Sequence, residues 1–288
     1  VCDDGSSSDT ETVLAPFRSR IPGLALLRQE DRGFRAGQAR NLGIRRARGE
    51  VLIFTDDDVL LPADFVRSHL DAHARTGNGA PPRQVVLGFR YRTRSKPDRL
   101  PPAGSEVLRC TPDSRFEEIG AAGEELEACD HPWFFVYSCN FSVRNEPGDV
   151  LFDEDFSGWG LEDIELGYRL AQLGYAVTLA PRACVLHVES ERPRDPFICE
   201  ERGLAPFYDT YVRNMVRFLD KYPADRILRR VLGDDLRWYV RDPSGRHWIK
   251  DGQEHDPEAV IAEERGRLRA ESTAAPAQRN PDHRPSPA

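Results

Sequence analysis

The sequence predicts an α/β fold in which a mostly parallel central sheet is flanked by helices. Two short apolar runs, 21–27 and 51–54, have the continuous apolar character of strands that are buried on both faces. Between them, small and apolar residues recur at helical spacing over 34–49, and Gly49 stands where a helix commonly stops. This alternation of strand, helix and strand is typical of an α/β sheet.

The later elements continue the alternation up to a polar tail. Residues 93–130 are rich in proline, glycine and charge, which predicts a long, partly helical excursion that could cover a site. The tail from about Glu271 has almost no large apolar residues, and we expect it to be disordered. The other predicted elements are a helix entered near Pro62, a strand at 85–92, a helix at 161–173, a strand at 176–179 and a helix within 206–232.

The composition limits the class of function. The chain has 288 residues with 39% hydrophobic and 31% charged content, which suits one globular domain with a polar extension. A net charge of -8 argues against a nucleic-acid binder that relies on a dense basic face. We therefore expect no nucleic acid as partner, and instead a small anion that is held locally.

The cysteines and the apolar runs indicate the compartment. Six cysteines are present without a CxxC pair, so neither a zinc ribbon nor a small disulfide scaffold is predicted, and a reducing compartment is favoured. The sequence contains no apolar run of transmembrane length and no secretory signal pattern. We expect a soluble cytoplasmic protein, and peripheral association with the inner face of the membrane is left open.

A polar loop at the start of the chain is the first candidate site. In CDDGSSSD we expect a strand to end and the chain to turn through Gly5, which presents Asp3 and Asp4 in the loop. Aspartate, glycine and serine are also ordinary turn residues, so without further support a simple turn is the preferred interpretation.

Three consecutive carboxylates, Asp56, Asp57 and Asp58, directly follow the apolar run VLIF. They are therefore expected at the C-terminal edge of a strand, where α/β sheets bind ligands. Hard oxygen ligands on a short turn suit Mg²⁺ or Mn²⁺, which commonly shares a few carboxylates with substrate phosphates. The alternative is capping of the following helix, but the mutual repulsion of three adjacent acids favours a cation.

The stretch SGWGLEDIELGYRL combines an aromatic ring with acids at the start of a helix. Trp159 could pack on the apolar face of a sugar ring while Glu162 and Asp163 meet its hydroxyl groups. The alternative is that these acids, and Glu165 in particular, only interact favourably with the helix dipole.

A single histidine, His187 in ACVLHVES, is expected at the end of a strand. Most single histidines are packed, hydrogen-bonded side chains, so the residue is weak evidence for a site. Imidazole is nevertheless an accepted Mn²⁺ ligand, and a histidine at the sheet edge could join the aspartates across a cleft.

Taken together and in this order, these segments resemble the family 2 glycosyltransferases of GT-A fold. The stretches LLRQEDRGFRAGQARNLGIRRA and FDEDFSGWGLEDIELGYRL are more narrowly similar to the bacterial chondroitin-polymerase type and to the galactosyltransferase C-terminal-like segment. The resemblance ends near Pro193. We therefore divide the chain into a GT-A catalytic domain at 1–195, a helical extension packed on it at 196–270, and a disordered tail at 271–288.

The resemblance implies a metal-dependent hexosyltransferase that uses a nucleotide-sugar, with UDP as the favoured nucleotide. Its acceptor would be a glycan, lipid-linked or other hydroxyl compound, and its role polysaccharide or glycoconjugate synthesis. Among the donor contacts carried over, Asp4 would hold the nucleobase with Asp3 beside it, Arg40 would lie near the nucleotide, and Asp56 near the ribose and the metal.

The metal ligands are carried over in the same way. Asp56 and Asp58 match the two acids of the family's DxD motif, and His187 resembles its third protein ligand for Mn²⁺ or Mg²⁺. Asp57 is the middle residue of the motif, and its role stays open.

The resemblance also assigns the acid–base residues. Asp163 would be the catalytic base, Glu162 would orient the acceptor, and Trp159 would pack on its sugar. Related retaining enzymes carry asparagine at the position of Asp163, so a carboxylate here implies inversion by one in-line displacement. Leu161 departs from the family pattern, in which a second glycine is common.

The start of the chain departs further from the family. The strand of the VSVIIPTYN kind and the helix that normally precede the DDGS turn are absent from this sequence. Because that strand is central in the sheet, we expect this chain to be marginally stable or inactive unless the segment is restored.

Two other classes of function remain as alternatives. A sugar nucleotidyltransferase should show a glycine-rich triphosphate loop with basic residues, and the sequence has none. A non-catalytic nucleotide- or sugar-binding module is disfavoured because Glu162 and Asp163 are both intact.

Overall fold

The computed structural model describes residues 1–74, 83–93, 111–112, 126, 128–146, 148–188 and 205–274. Most of the predicted excursion at 93–130 and of the predicted disordered tail lies outside these residues. The strands are β1 (Cys2–Asp3), β2 (Leu27–Arg28), β3 (Val51–Thr55), β4 (Val59–Leu60), β5 (Gln84–Thr93), β6 (Thr111–Pro112), β7 (Asn140–Arg144), β8 (Ala176–Val188), β9 (Val240–Arg241) and β10 (Trp248–Ile249). The helices are α1 (Thr10–Leu14), α2 (Ala36–Arg46), α3 (Phe65–Ala74), α4 (Glu162–Gln172), α5 (Ala205–Lys221), α6 (Arg226–Leu236) and α7 (Pro257–Ala274). Within these described elements, no helix is both long enough and apolar enough to span a bilayer.

The central sheet has the strand order β3-β7-β5-β8-β4, and β6 pairs with β5. Strand β8 runs parallel to β5, while the pairs of β7 with β3 and with β5, of β4 with β8 and of β6 with β5 are antiparallel. A separate small sheet joins β1 and β2 in parallel. The antiparallel pair of β4 and β8 aligns Val59 with His187, so that Asp58, the residue before Val59, lies close to His187.

The α/β class is confirmed, but the expectation of a mostly parallel sheet was wrong, because the sheet is mixed. A continuous apolar run indicates that a strand is buried on both faces and contains no information on the direction of its neighbours. That direction depends on the path of the connecting chain, and the long connection between β5 and β7 allows an antiparallel return.

Most elements appear where the periodicity predicts them, and two predictions were wrong. The predicted strand at 21–27 is reduced to β2, because Pro22 and Gly23 interrupt it and Ile21 is exposed. The predicted single helix within 206–232 is two helices, α5 and α6. Pro223 lies between them and lacks the amide that a continuing helix needs, and the Asp225 carboxylate caps α6 by accepting the Leu228 amide at 2.8 Å.

Two apolar clusters place helix α4 between the sheet and the C-terminal helices. The first joins α4 to the sheet and includes Val85, Phe141 and Leu166. The second joins α4 to α5, α6 and α7 and includes Tyr168 and Met215. Because α4 contributes to both, its N-terminus with Glu162 and Asp163 is held rigidly relative to the sheet.

Glu165 is the buried polar centre of this arrangement. Its side chain is fully buried and accepts hydrogen bonds from Arg169 Nε at 2.9 Å, Lys221 Nζ at 2.6 Å and the Tyr222 hydroxyl at 3.0 Å. The carboxylate therefore links α4 to the end of α5. Its role is not limited to the interaction with the helix dipole that the sequence analysis considered.

Helix α3 packs on the sheet through a buried polar network. His69 Nδ1 lies 2.8 Å from Ser142 Oγ and its Nε2 lies 2.9 Å from Asn140 Oδ1, while His73 Nε2 lies 2.9 Å from the same serine oxygen. All four residues are buried. Burial, the charge of Arg144 and the neighbouring His69 lower the pKa of His73 to about 4.

We predict that His73 makes the protein sensitive to acid. Because the pKa of His73 is about 4 in the folded chain and 6.5 for an unperturbed histidine, the unfolded chain binds more protons between these values. The stability that is linked to neutral His73 is therefore fully present above pH 6.5 and is lost as the pH falls towards 4. The free energy of unfolding should decrease by up to about 3 kcal/mol. Urea unfolding at pH 7.5 and pH 5 should show a smaller acid loss in His73→Gln, whereas an unchanged loss would contradict the prediction. His255→Gln, at a surface pair with Asp251, is the control.

Candidate active site

The loop after β1 is built around the carboxylate of Asp3. Its Oδ1 accepts the Ser6 amide and its Oδ2 accepts Thr10 Oγ1, both at 2.7 Å. These hydrogen bonds, that from the Ser6 amide first, lower the pKa of Asp3 to about 2 against the opposing effect of burial. Gly5 has a φ of 84°, and a Cβ there would collide with the backbone of Asp31. Asp3 thus stabilises the turn, and its role as a donor contact stays a prediction.

Asp4 is held by two residues that the sequence analysis missed. Gln29 Nε2 donates to Asp4 Oδ1 and the Arg35 amide donates to Asp4 Oδ2, each at 2.5 Å. Gln29 follows β2 and Arg35 precedes α2, so both lie in the stretch LLRQEDRGFRAGQARN. That stretch was recognised only as a whole, and nothing in it singled out these two partners.

Arg40 connects the acidic motif after β3 with the acidic motif at the start of α4. Its Nη2 donates to Asp56 Oδ1 and its Nη1 donates to Glu162 Oε1, both at 2.9 Å. The guanidinium also lies 5.5 Å from the centre of the Phe152 ring. Burial works to lower the pKa of Arg40, but the charges of Asp56 and Glu162 outweigh it and raise the pKa further. The side chain therefore stays charged.

Asp58 and His187 form the second pair of the site. Asp58 Oδ2 lies 3.3 Å from His187 Nε2, and the Val188 amide donates to the Asp58 carbonyl at 2.9 Å. Burial works to raise the pKa of Asp58, but the hydrogen bond and charge of His187 outweigh it and lower the pKa. His187 Nδ1 is buried without a hydrogen-bond partner among the described residues.

The donor set of this pair fits a divalent cation. Two ligands of a six-coordinate ion with bonds of about 2.1 Å lie about 3 Å apart, which is close to the Asp58–His187 separation. Asp56, the third predicted ligand, is instead in contact with Arg40. A different group in the described part of the chain, Cys129, Asp130 and His131, has three potential metal-ligand atoms within 4.8 Å of one another. The structure therefore brings two of the three predicted ligands together.

The two carboxylate oxygens of Glu162 differ in their surroundings, and Oε1 is the one that accepts from Arg40. The residue is 6% exposed, and its Oε2 is buried without a hydrogen-bond partner among the described residues. Burial and the charge of Asp163 raise the pKa of Glu162 to about 7, although Arg40 acts in the opposite direction. A buried polar atom without a partner is costly, so Oε2 is suited to a ligand that brings a hydrogen-bond donor.

Asp163 is oriented by Ser138, another residue that the sequence analysis missed. Its Oδ2 accepts the Ser138 amide at 3.0 Å and Ser138 Oγ at 3.2 Å, and its Oδ1 accepts the Ile164 amide at 2.8 Å. A carboxylate offers about four acceptor positions, and the described residues occupy three of those of Asp163. Ser138 lies in YSCN, a segment without any recognisable motif.

Leu161 keeps a glycine-like backbone directly before this pair. With a φ of 75° it is the one non-glycine residue with positive φ in the described ranges. This conformation costs about 1–2 kcal/mol for a residue with a side chain. The Leu161 side chain is 1% exposed and packs in the apolar cluster of the C-terminal helices, which offsets that cost. The Leu161 side chain thus covers the start of helix α4.

Trp159 lies against helix α5. Its ring centre is 5.2 Å from that of Tyr211 and 6.5 Å from that of Phe207, and the residue is partly buried. The described residues therefore hold Trp159, Glu162 and Asp163 in one short segment, as the sequence predicts. Whether Trp159 contacts an acceptor sugar stays a prediction.

Comparison with known proteins gives matches to one family model and to named sugar transferases and synthases. A family model described as glycosyl transferase family 2 matches residues 1–147. Validoxylamine A glucosyltransferase of Streptomyces hygroscopicus subsp. jinggangensis (strain 5008) is 32% identical over 241 residues, which are 78% of this chain and 53% of that protein. Chondroitin synthase of Pasteurella multocida (strain Pm70) is 29% identical over 192 residues, 60% of this chain and 20% of that protein. The chain thus spans about half the length of the first relative.

A solved structure supports the fold. The mannosyltransferase PcManGT from Pyrobaculum calidifontis, in complex with GDP-Man and Mn²⁺, has a TM-score of 0.51 and 19% identity to this chain. The match covers 95% of this chain and 65% of that protein. The GT-A fold that the resemblance implies is thereby confirmed.

Proposed function

The chain belongs to glycosyl transferase family 2 and has the GT-A fold, and from this premise we propose that it transfers a hexose from a nucleotide-sugar to an acceptor hydroxyl with inversion. One relative is by name a glucosyltransferase, which supports a hexose as the transferred group. Another is by name a chondroitin synthase, which supports a role in polysaccharide or glycoconjugate synthesis. The motif resemblance favours UDP as the nucleotide.

The bridge formed by Arg40 is the observation that carries the proposal. Arg40 is 16 residues from Asp56 and 122 residues from Glu162, yet it bonds to both. The acids assigned to the donor and the acids assigned to the acceptor are therefore within one side chain of each other. A direct displacement requires this proximity, because donor and acceptor must meet at the anomeric carbon.

Asp58 and His187 would hold the divalent cation, with Asp56 as the predicted third ligand. Bound there, Mn²⁺ or Mg²⁺ supplies positive charge against the diphosphate that leaves. Asp4 would contact the nucleobase, and the bonds from Gln29 and Arg35 fix its carboxylate for that purpose.

The proton transfer is assigned to Asp163. The acceptor position that no described residue occupies takes the proton of the acceptor hydroxyl as that oxygen attacks the anomeric carbon and the bond to the diphosphate breaks. Because the attack is a single displacement, the anomeric configuration is inverted. Glu162 Oε2, which has no hydrogen-bond partner in the described part of the chain, accepts a hydrogen bond from the acceptor and orients it.

Thermal unfolding with UDP, GDP or dTDP, each with and without Mn²⁺, tests the donor site. We expect one diphosphate to raise the Tm only with the metal, with stabilisation of about 2.7 kcal/mol at a ligand concentration 100 times the Kd. Asp58→Asn should abolish the rise because it removes one charged ligand of the ion. The exposed Asp71→Asn on α3 should behave as wild type.

Release of the diphosphate from its sugar donor distinguishes an enzyme from a binding module. Slow hydrolysis of the donor in the absence of acceptor is expected from a transferase. A metal-dependent Tm shift without any hydrolysis or transfer would favour the non-catalytic alternative, and a folded protein without any shift would contradict the donor site altogether.

A further inference from the structure

We infer that helix α5 positions the acceptor loop, residues 157–160, and that Thr210 and Asn214 are the positioning residues that set the affinity for the acceptor. This inference rests on the proposed function, since it concerns the residues behind Trp159. The loop and α5 both lie beyond the residues matched by the family model.

Thr210 binds the backbone of Trp159. Its Oγ1 accepts the Trp159 amide at 3.0 Å and donates towards the Phe207 carbonyl at 3.1 Å or the Trp159 carbonyl at 3.4 Å. A hydroxyl has a single proton but can accept as well as donate, so one side chain of α5 fixes the peptide group of the tryptophan.

Asn214 binds the two ends of the loop, one turn further along α5. Its Nδ2 donates to the Gly160 carbonyl at 2.8 Å and to the Ser157 carbonyl at 3.3 Å. The residue is 1% exposed, so these bonds are shielded from water. Together with Thr210, it holds backbone groups on both sides of Trp159.

The two loop glycines allow this close approach. Gly158 and Gly160 have φ values of 77° and 95°. A Cβ on Gly158 would meet the Thr210 side chain, and a Cβ on Gly160 would lie 2.5 Å from the ring of Tyr211. Tyr211 is itself fixed, because its hydroxyl donates to Asp235 Oδ2 at 2.8 Å. The loop therefore lies directly on a rigid helix surface.

The same face of α5 continues to bind the acidic segment around the loop. Arg217 donates to the Asp155 carbonyl, and Lys221 pairs with Asp153 and with buried Glu165. The contacts recur at the spacing of successive helical turns. Since the predicted catalytic Asp163 and the Trp159 loop are both fixed to this scaffold, a shift of the loop changes where an acceptor sugar lies relative to the base.

Thr210→Val tests the inference, because valine keeps the shape and removes the hydroxyl. The first readout is hydrogen exchange at the Trp159 amide, which we expect to be at least about tenfold faster. Thr210→Ser restores the hydroxyl and should restore protection. Thr178→Val is the matched control, because Thr178 Oγ1 lies 3.5 Å from the Val85 carbonyl, away from the loop.

The second readout separates the acceptor from the donor. With UDP-glucose as donor and p-nitrophenyl β-glucoside as acceptor, Thr210→Val should raise the acceptor KM about tenfold. Hydrolysis of UDP-glucose without acceptor should stay within about twofold of wild type, because the donor contacts lie on other elements. A purely structural role would lower both activities together with the Tm.

Two results would overturn the inference: unchanged exchange at Trp159 in Thr210→Val, or an equal loss of hydrolysis and transfer. Failure of the proposed function looks different, since wild type would then neither hydrolyse nor transfer sugar from UDP-glucose or any other donor. In that case the exchange measurement still decides whether Thr210 fixes the loop.

Discussion

Asp163→Asn should lower sugar transfer by about 10²–10⁴-fold and leave the protein folded. Asparagine has the same shape and can still accept the Ser138 amide, which the carboxylate accepts at 3.0 Å. It cannot take the proton of the acceptor hydroxyl, so the loss should appear in kcat for transfer. The metal-dependent Tm shift with nucleoside diphosphate should persist, because the residues assigned to the donor are on other elements.

The control for this variant is Asp155→Asn. Asp155 is an exposed residue in the segment that precedes helix α4. The control should transfer sugar at the wild-type rate. If Asp163→Asn kept more than a tenth of wild-type transfer, the assignment of the base would be wrong. Glu162, whose pKa is raised and whose Oε2 has no hydrogen-bond partner within the described ranges, would then be the group to test by Glu162→Gln.

Glu165→Gln should destabilise the folded chain by about 3–5 kcal/mol, a large part of the stability of an ordinary domain. Glu165 is fully buried and is the shared partner of Arg169, Lys221 and Tyr222. Glutamine keeps the size of the side chain but removes the charge that pairs with Arg169 and Lys221, although Lys221 still pairs with Asp153. The decrease should be measured as the change in the free energy of unfolding in urea.

Glu11→Gln is the matched control, because Glu11 pairs with Arg18 at 2.7 Å on the surface, with 55% of its side chain exposed. It should change the free energy of unfolding by less than about 1 kcal/mol. Adding Arg169→Met to Glu165→Gln should recover part of the loss, since glutamine leaves Arg169 without the carboxylate with which it pairs. A loss for Glu165→Gln as small as that of the control would show that the buried network contributes little.

The local parts of the site were predictable from the sequence. Apolar periodicity located α2, β3, β5 and α4, and the acids at 56–58 and at 162–163 were recognised at the ends of those elements. Such patterns are local, because a helix or strand is recognised from the spacing of its own residues. The one apolar pattern that failed clearly, at 21–27, is interrupted by a proline and a glycine that break a strand.

The partners of the site residues were not predictable. Arg40 was expected near the nucleotide, but its position between Asp56 and Glu162 depends on how α2 and α4 are placed relative to β3. Ser138 lies in no recognised motif, and nothing in the recognised stretch around Gln29 singles that residue out. Each joins the candidate site only through hydrogen bonds to a carboxylate that is distant in sequence.

The sequence alone determined the family and the α/β class and predicted the residue types of the candidate site, because these depend on motifs and on the burial pattern along each element. The tertiary structure decided the mixed direction of the strands, the pairing of Asp58 with His187 and the hydrogen bonds between α5 and the Trp159 loop. Burial patterns show which face of an element is covered, but not by which neighbour or in which register. A buried polar group such as Glu165 must find a partner in space, and that partner is set by packing alone.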